Sequence, residues 1–154
     1  MKRFRFRLEN VLSVRKTEEK EAMKEVSIAK MHYDGIRERL RKLELDGKRT
    51  EEEIRVAQLN RIQIEQITAG HEFLKALKRK IQEGLEELHE ADKILKSKQA
   101  ILVEKTQERK TLERLKEKKY EEWLKNLKWQ ESVEIDEIAS TRYLRKQGEI
   151  KNEF

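Results

Sequence analysis

Acid–base or metal chemistry in this chain would have to come from 31 carboxylates and three histidines, and their spacing does not suit it. A zinc-binding helix needs two His four residues apart around a Glu; His71-Glu72 has no second His at that distance. His32 and His89 have only carboxylates at helical spacing, which any charged helix supplies. The clusters Glu51-Glu52-Glu53 and Glu86-Glu87 would need a dry cleft to perturb their pKa values for proton transfer. Without one they serve solubility and helix pairing. The five Gly (35, 47, 70, 84 and 148) stand alone, so no phosphate-cradling loop is encoded, and with no Cys there is no thiol chemistry or disulfide framework. We therefore expect no catalytic residue, no metal site and no cofactor.

The elements that would carry these side chains are helices. The chain has 154 residues, no Pro, and 44% charged against 36% hydrophobic residues, dominated by helix formers. That composition marks a coiled coil or long helix. The charges are mixed in sign and the apolar residues recur at helical spacing, which argues against disorder. The formal net charge of +6 is spread along the chain, and the most basic stretch, Lys105 to Lys119, reads as a solvated helix face. Nucleic-acid binding, with its clustered cations and recognisable motif, is not expected. The start, Met1 to Arg7, is basic but has no apolar core after it, so it is not read as a signal peptide. The apolar run Ala100-Ile101-Leu102-Val103 is far too short for a bilayer, and no direct membrane insertion is expected. A cytoplasmic protein is the default.

Apolar residues follow two tracks in steps of three and four, the mark of a helical seam. The first runs from Leu8 and Leu12 through Ala22, Ala29, Ile36 and Leu40 to Ile54 and Ala57. The second runs from Gly70 through Leu77, Gly84, Ala91 and Leu95 to Trp123. Two places offer a turn: Asp46-Gly47, followed by a capping-box pattern from Thr50, and Leu59 to Gln63, where the first track ends. The later turn is preferred because Ile54 and Ala57 continue the first track in phase. Antiparallel pairing around it makes facing positions sum to about 124. Leu40 then faces Gly84, Tyr33 faces Ala91 and Ile36 faces Leu88; Glu19 meets Lys105, and Arg15 unfavourably meets Arg109.

The expected fold is all-α: a long antiparallel two-helix coiled-coil hairpin, with the second helix projecting beyond the first. Its parts are a helix over about 4–59, a turn over about 60–63, a helix over about 64–142 and a mobile tail over 143–154. The projecting part carries Trp123, Leu124, Leu127, Trp129, Val133, Ile135 and Ile138, more apolar surface than a lone helix needs. Such surface marks a partner site or self-association.

Three stretches resemble the flagellar FliJ family. They are Phe4-Arg5-Phe6-Arg7-Leu8-Glu9-Asn10-Val11-Leu12-Ser13-Val14-Arg15, then Phe73-Leu74-Lys75-Ala76-Leu77 through Ile81, and Ile135-Asp136-Glu137-Ile138-Ala139-Ser140-Thr141-Arg142. They occur in the family's order and spacing over nearly the whole chain. One departure is Gly70, where the family often has Tyr. The resemblance implies a non-enzymatic stalk and escort of the flagellar type III export apparatus. Its partners would be the export ATPase ring, the membrane export gate and export chaperones. It would be cytoplasmic, peripherally associated with the inner membrane at the flagellar base. The resemblance assigns ATPase contacts to Phe4, Phe6, Leu8, Val11, Leu12, Ile135, Asp136, Glu137, Ile138 and Arg142. It assigns gate contacts to Leu43, Phe73 and Leu77. The competing readings are a generic cytoplasmic coiled-coil scaffold or dimerisation protein and, last, a basic nucleic-acid binder. Leu8, Leu12 and Leu43 also read simply as seam residues; Phe4 and Phe6 precede the continuous track.

Overall fold

The structure, a computed structural model, describes residues 3–60 and 63–152, the last four of these as backbone. Two α-helices, α1 (Glu9–Leu59) and α2 (Ile64–Asn152), make up an all-α helical hairpin. Glu9 and Glu65 lie in the first turns of the two helices, where a carboxylate complements the helix dipole. The expected turn at about 60–63 falls partly on residues 61 and 62, which lie outside the described residues; Gln63 accepts the first α2 bonds from Gln66 and Ile67. At the alternative turn, α1 passes through Asp46-Gly47 unbroken. The Thr50 hydroxyl donates back to the Asp46 carbonyl at 2.9 Å instead of capping a new helix.

The chain divides into two compact units, one of residues Thr17–Thr106 and one of Met1–Lys16 with Gln107–Phe154. In the first, α1 and α2 pack along one seam. The α1 residues that lose exposure there are the members of the first track, with Glu18 beside them. Ile36, Leu40 and Ala91 form the buried centre, with Tyr33, Leu43, Ile81 and Leu88 against it. Each buried Leu or Ile contributes about 1.5–3 kcal/mol of transfer free energy. Gly84 shows the register: a Cβ there would lie 2.5 Å from Leu40 Cδ2, so the large side chain fills the space that the missing one leaves. Gly70 does the same for Ile54, whose Cγ1 would be 2.8 Å from an added Cβ.

Glu19, buried in this seam, accepts a hydrogen bond from Thr106 at 2.9 Å. Lys105, which the spacing sets opposite Glu19, lies 3.6 Å from the Glu18 carboxylate. No described buried side-chain nitrogen or oxygen lacks a hydrogen-bond partner.

In the second unit α1 begins at Glu9, not near Phe4. Residues 3–8 are a non-helical arm in which Phe4 and Phe6 are half-buried while Arg3, Arg5 and Arg7 are exposed. Alternation of period two suits an extended segment with one apolar edge, and a helix would have put those Phe on different sides. Leu12 is enclosed at 2% exposure. Arg15 is not left facing another cation: it donates to Glu108 at 2.8 Å, and Arg109 to Glu113 at 2.6 Å. At the other end of the unit, α2 stays helical through Asn152, beyond the boundary expected near Arg142. No Pro intervenes, and Gly148 keeps a helical backbone without a positive φ.

Candidate functional site

The Phe4–Arg7 arm makes the most distinctive surface of the second unit. Phe4 packs edge-on against Tyr120, with ring centroids 5.2 Å apart and planes at 75°, and lies 5.9 Å from Trp123. Tyr120 and Trp123 stack at 5.7 Å. Edge-to-face and offset pairs of this kind contribute about 0.5–1.5 kcal/mol beyond their buried area. Phe4, Phe6 and Leu8 line one open groove of about 830 Å³ with Leu115, Trp123 and Leu127.

The arm reaches further than a helix could. Glu9 and Lys116 are joined by an ion pair of 2.8 Å. Six non-helical residues beyond that point can span at most ~20 Å, against about 9 Å as helix, which is roughly 13 further residues of α2. The last α2 residue on the groove is Gln130, in keeping with that reach. Trp123 and Leu127, expected to project uncovered, line this groove and are half-buried; Leu124, outside it, is half-buried as well. Beyond the groove the exposure is continuous: every residue from Lys128 to Gly148 is exposed, including Trp129 at 67%, Ile135 at 65% and Ile138 at 54%.

The site residues that the resemblance assigns thus fall into separate groups. Phe4, Phe6 and Leu8 share the groove. Val11 is exposed on α1, whereas Leu12 is closed in the seam and has no surface for a partner. Ile135, Asp136, Glu137, Ile138 and Arg142 stand on the exposed part of α2, outside the groove. Tyr120 is a groove-side residue that sequence reasoning missed, because it sits one position off the seam track; its spacing of three from Trp123 was the available signal.

In the Thr17–Thr106 unit, Phe73 is 49% exposed and borders an open groove of about 510 Å³ with Ile54, Ala57 and Gly70. Leu77 is 4% exposed and Leu43 half-buried, both in the seam. Of the three residues assigned to the gate, Phe73 is the one that offers a ring to a partner. Gly70 stands where the family often has Tyr, and the close approach of Ile54 leaves no room for that side chain in this packing.

Four cations, Arg3, Arg5, Arg7 and Lys119, line the aromatic groove. Glu122 is held below the usual carboxylate range, first by its hydrogen bond from Lys119 and further by the nearby charges of Lys118 and Lys125. Elsewhere Glu38 and Glu52 are lowered by their hydrogen bonds from Arg41 and Arg55, as ordinary pairs on an exposed helix face. Among the described residues, no group of three or more His, Cys, Asp or Glu could hold a metal ion. No described helix is long and apolar enough to cross a membrane.

The family model described as flagellar FliJ protein matches residues 4–148. No curated protein matches the chain. A solved structure described as a YscO homolog from Chlamydia trachomatis is similar in fold. It has a TM-score of 0.62 and 23% identity, covering 94% of this chain and 99% of that one.

Proposed function

Since the chain belongs to the flagellar FliJ family, we propose that it is a non-enzymatic stalk and escort protein of the flagellar type III export apparatus. In this role it couples the export ATPase ring to the membrane export gate and binds export chaperones at the flagellar base. The observation that carries the reading is the open apolar surface of the second unit. The arm groove and the exposed Ile135 and Ile138 present more apolar area than a helix in water has reason to show. Phe4, Phe6, Leu8, Val11, Ile135 and Ile138 contact the ATPase, with Asp136, Glu137 and Arg142 fixing orientation at the rim. Phe73 contacts the gate. Leu12, Leu43 and Leu77 act indirectly, by keeping the seam closed beneath these surfaces.

The test is the ATP turnover of the cognate export ATPase with and without this protein. Wild type should raise turnover, and Phe4→Ala/Phe6→Ala and Ile138→Asp should lose the effect while remaining helical. An ATPase indifferent to wild type, with no co-elution, would leave the chain as a coiled-coil scaffold. A Phe73→Ala variant that keeps the stimulation but no longer binds the isolated gate domain separates the two contacts.

A further inference from the structure

The second unit carries its charge in two blocks. The arm and residues 116–128 of α2 hold three Arg and five Lys against three Glu, while residues 131–138 hold four carboxylates and no cation. The cationic block surrounds the aromatic groove, and its arginines are exposed. The acidic block contains the exposed Ile135 and Ile138. Each block is what the other would choose as a neighbour, yet they follow one another along the one unbroken helix α2, which cannot fold back on itself. A second copy turned end for end brings them into contact twice.

We propose that, in the absence of other partners, this unit pairs with a second copy of the chain, antiparallel about a two-fold axis near Trp129 and Gln130. Facing positions then sum to about 259 in the a-to-d spacing of an antiparallel helix pair. Leu124 meets Ile135 of the second copy, Lys128 meets Glu131, and Glu117 meets Arg142; the two-fold repeats each contact. The arm lies along the seam side of α2. On that side the other helix carries Glu134 and Glu137, one turn apart, opposite the arginine row. A two-fold interface of this kind closes on itself and gives a dimer, not a chain of copies.

The dimer covers Ile135 and Ile138, the residues offered above to the ATPase, so the free protein would hold that surface shielded until a partner displaces the second copy. The inference does not rest on the proposed function, because its test contains no ATPase.

Sedimentation velocity of the full chain should show a dimer at low salt that dissociates as salt screens the charge blocks. Arg3→Glu/Arg5→Glu/Arg7→Glu should weaken the dimer about tenfold or more, and so should Glu134→Lys/Glu137→Lys. Combining all five substitutions in one chain should restore it, because each reversed arm then meets the reversed pair at 134 and 137. Circular dichroism on every variant separates lost pairing from lost helix. A wild type that is monomeric at every salt concentration overturns the proposal and leaves the cationic groove to an acidic helix of another protein. A fivefold variant that stays monomeric while fully helical overturns the antiparallel arrangement.

Discussion

The two units use the same helices in opposite ways. Between Thr17 and Thr106 the apolar track of α1 is matched by α2, large residue against small, and its best-packed members are nearly inaccessible. In the other unit α1 supplies only Glu9–Lys16, and a short arm replaces the missing helix. One aromatic groove stays open, and α2 continues with its apolar residues in water. Stability is therefore concentrated in the first unit and available surface in the second. Substitutions should separate the two.

The largest effect should come from the closed seam. Leu40→Ala leaves a cavity beside Gly84 and should cost about 2–4 kcal/mol in urea unfolding. Gly84→Leu alone overfills the same layer and should cost about 1–3 kcal/mol. Together they exchange the large and small partners, so the double variant should be more stable than Leu40→Ala; if the two losses simply add, the residues do not face each other.

The open unit should respond in function and spectroscopy more than in stability. Phe4→Ala removes the ring contacts with Tyr120 and Trp123. It should cost about 1–3 kcal/mol, from the ring contacts and the half-buried area together, and shift Trp123 emission to the red, measured in a Trp129→Phe background. Ile138→Asp should change unfolding by no more than about 0.5 kcal/mol, so that its effect on ATPase stimulation reports a lost contact.

The smallest effect is electrostatic. Glu38, Glu52 and Glu122 have folded pKa values below their ordinary ones. Their contribution is present above the ordinary carboxylate pKa and fades as pH falls through the lowered value. Arg55→Gln should therefore lower helicity slightly at neutral pH and leave strong acid unchanged, which flattens the acid limb; a loss in acid equal to that at neutral pH would contradict this.

Most of the seam was legible because three-and-four spacing is a property of the helix itself, and pairing Leu40 with Gly84 needed only the requirement of constant layer thickness. The arm was not, because Phe4 and Phe6 were read as an early turn of α1. Their alternation with Arg3, Arg5 and Arg7 was a period-two signal only five residues long, too short to outweigh the helical bias of everything after it. Tyr120 escaped because its partner ring comes from the arm. The helical end of α2 was underestimated for the opposite reason: fraying was expected on general grounds, whereas nothing in residues 143–152 interrupts a helix. For the assigned contacts, spacing could show which residues share a face. It put Leu12 and Leu77 on the seam tracks and Phe73 off them, as their enclosure and exposure bear out, but the family resemblance still assigned all three as contacts.

The pairing of Leu40 with Gly84 has a mechanical consequence. If α1 and α2 slid past each other by one heptad in the Thr17–Thr106 unit, Leu40 would ride onto Leu77 or Ala91, where a side chain already fills the space that glycine leaves vacant. The same slip would carry Ile54 off Gly70 and take Glu19 away from Thr106. Three notches at different points along the seam therefore have to release together. A helix pair keyed in this way resists axial shear, and a push or twist on one strand is delivered to the other without lost motion.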